Sequence, residues 1–332
     1  MNLISTTNGE KFDARDGETL LDAATRGGVA LGYSCRTGRC SSCKGLVRSG
    51  STIAVHDELG LTAAERDAGW ILTCVRHASS NVELDIESLG DIQLFPAKTT
   101  PCRIHSLERL SADVIKVVLR LPPTSDFCFH PGQYIDVIGA DGLRRSYSVA
   151  NAPNAAKQIE LHIREVAGGA MSRYWFEQAK VNDLLRFNGP LGTFFLRDTA
   201  GKDLVFLATG TGMAPVKAML EGLRNSADDA NKPRSVSVYW GGRSPQDFYW
   251  DPASLAPGFV YVPVLSRAEP DWPGARGHVQ DALLASTPDL TQTVVYACGS
   301  DAMIHSAREQ LIANGLPDKC FHSDAFVCSA SN

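Results

Sequence analysis

The alternation of apolar and polar residues is clearest in the middle third of the chain. Apolar residues alternate with polar ones over residues 115–121 and again over 159–164, and clusters of Gly, Pro and Asn separate these runs. Such alternation predicts half-buried strands. Several short strands with turn residues between them favour an antiparallel barrel.

Beyond residue 200 the pattern changes to compact apolar runs followed by helix-like segments. The runs lie at residues 204–208, 236–240, 260–265 and 294–297. One helix is predicted over residues 216–223, and another carries Met303, Ala307 and Leu311 on one face. Strands that alternate with helices predict a parallel α/β sheet.

The first part of the chain mixes short elements of both kinds. A helix is predicted over residues 19–26, and Thr62 with Glu65 forms a capping-box pattern that opens a second one. Residues 81–86 alternate like a strand, and the segment 88–101, with Pro96 and Pro101, is interpreted as a linker. We therefore predict three domains, over residues 1–92, 98–199 and 200–332.

Four cysteines in the first domain carry the strongest chemical signal. Three form a C-x4-C-x2-C pattern, a spacing typical of a plant-type [2Fe–2S] centre, which moves single electrons. Small residues between them would let backbone N–H groups approach the sulfurs. A zinc site, which favours paired knuckles, or ordinary buried thiols are the alternatives. The candidate ligands are Cys35, Cys40, Cys43 and Cys74.

Composition and charge exclude several classes of function. The net charge of −5 argues against a general nucleic-acid binder. No apolar run reaches the length of a membrane span, and the first residues lack the pattern of a secretory signal. Five further cysteines, scattered and odd in number, suit a reducing cytoplasm. They are Cys102, Cys128, Cys298, Cys320 and Cys328.

Arg145, Tyr147 and Ser148 form an R-x-Y-S sequence in the barrel segment. Strand alternation would place Arg145 and Tyr147 on one face and Ser148 on the other. The guanidinium could hold a phosphate, Tyr147 could lie along a flavin, and Ser148 could donate a hydrogen bond to it. A solvated arginine beside a core tyrosine is the alternative interpretation.

Two further features of the barrel segment point to phosphate binding. His162 and Arg164 share the polar face of their predicted strand. Gly169 and Ser172 belong to a glycine-rich turn before a predicted helix over residues 173–179, and Ser172 is a suitable N-cap. A glycine-rich turn at a helix N-terminus is an anion site, although a routine loop would look the same.

In the third domain, Gly210, Thr211 and Gly212 follow a predicted strand and open a helix. That context is the one phosphate binding requires, although the sequence is not G-x-G-x-x-G. Cys298 and Gly299 end a later strand, at the sheet edge where ligands bind. Cys298 could flank a nicotinamide or be a small buried hydrophobe.

The order of these motifs resembles the ferredoxin–NAD(P)H reductase superfamily, and within it the three-domain reductases that pass electrons to a partner enzyme. The resemblance covers essentially the whole chain. It implies a multidomain fold: an N-terminal β-grasp plant-type ferredoxin domain (α+β), an antiparallel β-barrel flavin domain and an α/β parallel-sheet nucleotide domain. It also implies an NAD(P)H:acceptor oxidoreductase that binds a [2Fe–2S] cluster, FAD and NADH, with NADPH possible.

Two branches of that superfamily compete. Stretches at residues 119–124, 131–136, 192–195, 296–300 and 323–326 are similar to CDP-6-deoxy-Δ3,4-glucoseen reductases. Those serve a pyridoxamine-phosphate-dependent dehydrase in 3,6-dideoxysugar synthesis. The other branch serves an oxygenase component of aromatic-ring dioxygenases or multicomponent monooxygenases.

The resemblance also assigns residues to cofactors. The four cysteines would hold the cluster; Ser148, Cys298 and Phe326 would lie at the reacting centre, with Phe326 over a flavin face. Ser41 and Thr209 depart from the family pattern, because glycine is common at both positions. The implied FAD residues are Arg145, Tyr147, Ser148, His162, Arg164, Gly169 and Ser172, and the implied nicotinamide residues are Gly210, Thr211, Gly212, Cys298 and Gly299.

Electron counting orders these cofactors. NADH releases two electrons as a hydride, the cluster accepts one, and a flavin can do both, so the flavin stands between them. The choice of nucleotide depends on the segment that carries Arg243 and Asp247, since a cation favours NADPH and an acid favours NADH. The family's habit favours NADH.

Other functions are weighed against this one. A non-enzymatic iron–sulfur sensor would need neither the barrel nor the nucleotide motifs, and a quinone reductase would need no protein partner. Arg36, Arg39 and Lys44 could form a basic rim that steers an acidic partner to the cluster, or could be solvated. No nucleic acid or membrane is expected among the partners.

Overall fold

The structure is a computed structural model that describes residues 1–90, 92–139, 142–197, 199–226, 231–255 and 258–326. These residues form two compact units, Met1–Leu94 and Phe95–Phe326. Cys328 lies outside the described residues. Within the described ranges, no helix is long and apolar enough to cross a bilayer.

The first unit is a five-stranded mixed sheet with two short helices. The strand order is β2-β1-β7-β3-β5, with β1 and β7 parallel, and β4 and β6 form a separate pair. Helix α1 buries Leu20 and Leu21 against the sheet. The bounds are β1 (Asn2–Thr6), β2 (Lys11–Ala14), α1 (Leu20–Arg26), β3 (Lys44–Ser49), β4 (Thr52–Ala54), α2 (Ala63–Asp67), β5 (Trp70–Leu72), β6 (Arg76–Ala78) and β7 (Val82–Asp85).

Both predicted helix starts in this unit are confirmed. The Thr19 hydroxyl caps α1 by accepting from the amide of Asp22, and Gly27 ends the helix. Thr62 and Glu65 form the capping box of α2 in both directions. Each cap accepts hydrogen bonds from N–H groups of the first turn that have no partner within the helix, and this stabilises the start of a short helix.

The second unit begins with a six-stranded antiparallel barrel. Its strand order is β11-β10-β13-β8-β9-β12, and a bridge between Val149 and Leu161 joins the two outer strands. Inward residues such as Ile104, Leu161 and Phe187 are buried in one core. The bounds are β8 (Lys98–Arg109), β9 (Val114–Arg120), β10 (Tyr134–Ile138), β11 (Arg144–Ser148), β12 (Gln158–Arg164), α3 (Ala170–Arg173) and β13 (Leu184–Leu191).

The rest of the second unit is a parallel sheet flanked by helices, in the order β17-β16-β15-β14-β18-β19. From β14 the chain first adds β15, β16 and β17 on one side and then β18 and β19 on the other. The strand order therefore reverses between β14 and β18, and sheets of this kind bind ligands at that switch point. The bounds are β14 (Asp203–Thr209), α4 (Met213–Asn225), β15 (Ser235–Gly242), β16 (Val260–Leu265), β17 (Ala275–Arg276), α5 (Val279–Ala285), β18 (Thr293–Gly299), α6 (Asp301–Ala313) and β19 (Phe321–Ala325).

One predicted element differs in detail. Ser172 was expected to cap a helix over residues 173–179, but the helix begins at Ala170 with Gly169 as its N-cap, and a π-helical turn continues it over Tyr174–Gln178. The Ser172 hydroxyl instead accepts a hydrogen bond from the amide of Val166 at 2.8 Å. A serine inside the first turn can reach back in this way, which the sequence pattern does not distinguish from a cap.

Candidate redox centre and nucleotide sites

The cysteine loop is wound by three residues with left-handed backbones. Arg36, Gly38 and Ser41 have φ of 56°, 74° and 58°. This winding turns amide groups toward the sulfurs: the amide of Cys35 donates to Cys40 Sγ at 3.3 Å, and that of Thr37 donates to Cys35 Sγ at 3.4 Å. Donors of this kind stabilise negative charge on a thiolate.

The four cysteines meet as two pairs. The Cys35 thiol interacts most strongly with that of Cys40, and the Cys43 thiol interacts most strongly with that of Cys74. In each pair one pKa is lowered and the other raised, because interaction with the neighbouring thiol favours one of the two as the thiolate. Among the described residues, no group of three or more His, Cys, Asp or Glu converges on one ion.

This arrangement fits a binuclear centre better than a zinc site. A structural zinc ion takes four ligands at one point, whereas two irons bridged by sulfide take two thiolates each. Three of the four cysteines are buried. The donor set and its pairing therefore fit a [2Fe–2S] cluster.

Arg36 and Lys44, two cations beside the loop, are paired with carboxylates. Arg36 forms an ion pair with Asp22 and lies over the ring of Tyr33. Lys44 binds Glu65 at 2.8 Å. Because neighbouring carboxylates offset these charges, the expected basic rim has less net positive charge than the sequence suggests.

The R-x-Y-S residues lie on β11, at one side of the barrel. The hydroxyl of Tyr147 accepts a hydrogen bond from the indole N–H of Trp175 at 3.0 Å, and burial raises the pKa of Tyr147 to about 12. The half-buried Arg145 donates to the carbonyl of Arg144. The Ser148 side chain is buried at the strand end, and its hydroxyl has no partner among the described residues. Arg145 and Ser148 thus keep donors available for a ligand.

Strand β12 presents His162 and Arg164 toward the nucleotide half of the unit. Both ring nitrogens of His162 are engaged, by Glu160 at 2.7 Å and by the Tyr249 hydroxyl at 3.3 Å. The Arg164 guanidinium lies 3.3 Å from a carboxylate oxygen of Asp113 and 3.9 Å from one of Asp247. Its Nε and Nη2 are buried without a hydrogen-bond partner in the described chain.

The surroundings of His162 and Arg164 differ, although both residues were predicted to lie around the FAD phosphates. His162 is buried, and burial lowers its pKa, so the neutral ring suits a structural contact between Glu160 and Tyr249. A β-carbon added at Gly210 would lie 3.2 Å from the Arg164 guanidinium. Arg164 therefore borders the nucleotide turn as well as the barrel, and its role toward FAD phosphates stays a prediction.

The two loops at the switch point are packed backbone to backbone. Residues Gly210–Gly212 form a 3-10 turn between β14 and α4. A β-carbon at Gly212 would lie 2.2 Å from the Cys298 carbonyl oxygen, and one at Gly299 would lie 2.3 Å from Thr209 Oγ1. Thr211 lies between the two turn glycines. Only glycine fits at 212 and 299, which is the close approach that a dinucleotide cradle needs.

The Cys298 side chain does not line that cradle. It is fully buried in the core of the parallel sheet, and burial together with Asp324 raises its thiol pKa. This geometry agrees with the alternative interpretation, in which Cys298 is a small buried apolar residue. Contact between this thiol and a nicotinamide therefore remains a prediction that requires the surrounding core to move.

The loop after β15 places Arg243 and Asp247 close together. The Asp247 carboxylate accepts from the backbone amides of Arg243 at 2.6 Å and Ser244 at 3.3 Å. The Arg243 side chain is exposed. One carboxylate oxygen thus holds the loop, and the other faces Arg164.

Phe326 is the last described residue of the second unit. Its amide donates to the carbonyl of Gly299 at 2.8 Å, which fixes it at the carboxyl edge of β18. The side chain is 37% exposed. An exposed ring at the switch point is available to cover a planar ligand.

Sequence reasoning missed the polar contacts that join the barrel to α4. Lys217 and Glu221 on α4 contact Glu160 of β12 and the segment after β11. The i,i+4 spacing of Lys217 and Glu221 was visible in the sequence, but it is common on exposed helix faces. Only the fold shows that this face is buried.

Comparison with known proteins agrees with this geometry. Three family models match consecutive parts of the chain: a 2Fe-2S iron-sulfur cluster binding domain over residues 5–79, an oxidoreductase FAD-binding domain over 101–196 and an oxidoreductase NAD-binding domain over 206–309. The order is the one that the motifs predicted.

Relatives match over nearly the full length. The CDP-6-deoxy-L-threo-D-glycero-4-hexulose-3-dehydrase reductase of Yersinia pestis is 42% identical and covers 99% of both chains. The reductase component DmpP of phenol 2-monooxygenase from Pseudomonas sp. (strain CF600) is 31% identical over 99% of this chain and 95% of that protein. The crystal structure of the Amycolatopsis cytochrome P450 reductase GcoB superposes with a TM-score of 0.76 at 30% identity, covering 98% and 99%.

The fold and the matches together define a class: iron–sulfur flavoprotein reductases with ferredoxin, FAD-binding and NAD-binding domains. This chain belongs to the family of [2Fe–2S]/FAD/NAD(P)H reductases that includes the dehydrase and oxygenase reductases named above. It is an NAD(P)H-dependent electron-transfer oxidoreductase with a [2Fe–2S] cluster, FAD and NADH as cofactors, and it passes electrons to a partner protein. A non-enzymatic sensor would need neither an FAD-binding nor an NAD-binding domain, so we reject that hypothesis.

Proposed function

We propose that the partner of this reductase is a nucleotide-sugar dehydrase of the pyridoxamine-phosphate-dependent kind. The observation that carries this is the degree of similarity: 42% identity to a reductase named for a CDP-6-deoxy-hexulose dehydrase, against 31% to DmpP, each over 99% of this chain. Reductases that share an acceptor also share the surface that recognises it, so higher full-length similarity favours the same acceptor class.

We assign the cluster to Cys35, Cys40, Cys43 and Cys74. The pairing of these thiols and the amide donors aimed at Cys35 and Cys40 support two thiolates on each iron. When bound, the cluster supplies a one-electron outlet. The protein's own contribution is to bury the thiolates and to donate hydrogen bonds to them, which tunes the potential.

FAD would bind at the β11 edge of the barrel. Arg145 would pair with phosphate, Ser148 would donate to the flavin, and Tyr147 would pack along it with its hydroxyl held by Trp175. Gly169 and Ser172 belong to the turn that the resemblance assigns to the pyrophosphate. The engaged ring of His162 makes it a weaker candidate than the others.

NADH would bind at the switch point of the parallel sheet. Gly210, Thr211, Gly212 and Gly299 would let the dinucleotide approach the backbone, and Asp247 would be the acid near its ribose. Phe326, whose exposed ring lies at the carboxyl edge of β18, would cover one face of the flavin. These assignments support domain bounds of 1–92, 98–199 and 200–332, each of which encloses one family-model match.

The proposal is tested with purified, reconstituted protein. NADH should bleach the flavin, and addition of a CDP-6-deoxy-4-hexulose dehydrase with its substrate should restore the oxidised spectrum and yield the deoxygenated sugar. The matched control is the same mixture with an oxygenase component and its aromatic substrate. Turnover with the oxygenase but not with the dehydrase would overturn the proposal.

An oxygenase reductase is the second candidate function. It is favoured by the likeness to DmpP and by the likeness to GcoB at a TM-score of 0.76. If this is the function, NADH oxidation should couple to hydroxylation of an aromatic substrate and should be unaffected by any nucleotide sugar.

A further inference from the structure

Strand β12 turns three polar side chains toward the nucleotide half of the second unit. Glu160, His162 and Arg164 alternate along the strand, and each meets a different segment: Lys217 of α4 at 3.1 Å, Tyr249 at 3.3 Å and Asp247 at 3.9 Å. The face that sequence reasoning assigned to phosphates is thus also the face that joins the barrel to the parallel sheet.

Lys217 is the centre of these contacts. Its ammonium lies 2.6 Å from Glu221, 3.1 Å from Glu160 and 3.1 Å from the carbonyl oxygen of Ala150, and it lies over the ring of Trp250. The residue is only 9% exposed. The ammonium therefore donates hydrogen bonds to Glu221 and Ala150 and forms an ion pair with Glu160, and the last two of these partners belong to the barrel.

Glu221 makes the second link from the same helix. Its other carboxylate oxygen accepts from the backbone amide of Ala152 at 2.9 Å. Helix α4 is consequently fastened to both Ala150 and Ala152. Below these contacts, a β-carbon at Gly222 would lie 3.1 Å from Pro131, so helix and barrel are also in close apolar contact.

The residues joined in this way lie next to the two proposed cofactor sites. Ala150 is two residues after Ser148 of the flavin motif, and α4 begins directly after Gly212 of the nucleotide turn. A helix is stiff over one turn, so the contacts of Lys217 fix the turn relative to the flavin motif.

We infer that Lys217 is a positioning residue: through Glu160, Glu221 and Ala150 it sets the separation between the flavin motif and the nicotinamide turn. This rests on the cofactor sites proposed above. Buried ion networks add little net stability compared with apolar packing, but they specify one relative arrangement of the groups they join. Hydride transfer is sensitive to such an arrangement, since an error of about 1 Å can slow a reaction about a hundredfold.

The test compares Lys217→Met with the double variant Glu160→Gln/Lys217→Met. The single variant leaves the half-buried carboxylates of Glu160 and Glu221 without their cation, which can prevent folding. The double variant removes both partners of the Glu160–Lys217 pair and leaves only Glu221, which still accepts a hydrogen bond from the amide of Ala152, so it should fold. Arg234→Met is the matched control, because Arg234 pairs with Asp203 at the opposite end of β14.

Two measurements on the full-length holoprotein are combined. Amide hydrogen exchange at Ala152, measured without NADH, should be faster in the double variant than in wild type and unchanged in Arg234→Met. Stopped-flow reduction of the flavin at saturating NADH should slow about 10- to 100-fold. FAD content should not change, and the Kd for NADH should stay within about threefold, since the residue binds neither cofactor.

The outcomes separate the possible roles. Flavin reduction at the wild-type rate in the folded double variant would overturn the inference, and so would a slower rate that merely follows loss of FAD. If wild-type protein were not reduced by NADH at all, the proposed cofactor sites would fail, and this inference with them. In that case, faster exchange of the Ala152 amide in the double variant would still show that Lys217 holds α4 against the barrel.

Discussion

The hydroxyl of Ser41 donates a hydrogen bond to the carbonyl oxygen of Gly60, nineteen residues further along the chain. The backbone of Ser41 is left-handed, which costs a residue with a β-carbon about 1 kcal/mol or more. A β-carbon at Gly60 would lie 2.9 Å from both the amide nitrogen and the Oγ of Ser41. The serine that departs from the family's glycine is therefore held by a contact that glycine could not make.

Ser41→Ala should lower the free energy of unfolding by about 1 kcal/mol, because the hydrogen bond is lost while the left-handed strain remains. Ser41→Gly loses the same bond but relieves the strain, so it should stay within about 0.5 kcal/mol of wild type. Denaturant titration followed by the visible absorbance of the cluster measures both. Equal losses in the two variants would contradict this explanation.

Replacing any one of Cys35, Cys40, Cys43 or Cys74 by Ala should abolish the cluster, because each iron would lose one of its two thiolates. Iron and acid-labile sulfide should fall from about two of each per chain to near zero, and the paramagnetic signal of the reduced protein should vanish. Cys102→Ala is the control, since this thiol is buried in the barrel and its pKa is raised by burial to about 12. Loss of iron in that control would argue for general misfolding.

Thr209→Val should weaken NADH binding. Thr209 Oγ1 accepts from the amide of Ser300 at 3.0 Å and so ties the end of β14 to the start of α6. Removing the acceptor costs about 1 kcal/mol, which corresponds to an increase of about fivefold in the KM for NADH. Thr209→Ser keeps the hydroxyl and should behave as wild type in steady-state assays of ferricyanide reduction.

The loop after β15 should show different effects for its two charges. Asp247→Ala removes the acceptor of two backbone amides, so the KM for NADH should rise about tenfold. Arg243→Ala removes an exposed side chain and should change that KM less than twofold. If NADPH were the true donor, Arg243→Ala would instead raise the KM for NADPH strongly, and steady-state rates with both nucleotides distinguish the cases.

Acid should destabilise the second unit through Glu160. Burial raises the pKa of this carboxyl, but the hydrogen bond from His162 and the charge of Lys217 outweigh it and lower the pKa to about 2. Because the folded pKa lies below the usual 4.5, the stabilisation is complete above about pH 4.5 and is lost as pH falls toward 2. Glu160→Gln should flatten this part of the stability-versus-pH curve, measured by thermal unfolding in a pH series.

Much of the site was predictable because the chemistry limits the sequence. As the proposed ligands, Cys35, Cys40 and Cys43 must share one short loop to reach two irons, and Gly212 must be a glycine because another backbone lies against it. Apolar residues recur every second position in the barrel strands and every three to four positions in the helices of the parallel-sheet domain, so the sequence also distinguishes these two parts. The helix start at Ala170 was less predictable, since the pattern could not tell a cap from a serine bonded within the first turn.

Sequence alone determined the fold class and the order of the three family matches, and it supplies the proposed donor set of the cluster, because local spacing and periodicity encode them. Tertiary structure decided which thiols pair, that the Cys298 side chain is withdrawn into the core, and that Lys217 joins α4 to the barrel. Those facts depend on contacts between segments far apart in the chain. Burial and partner choice for a cysteine or a lysine are set by what packs against it, and no local pattern records that.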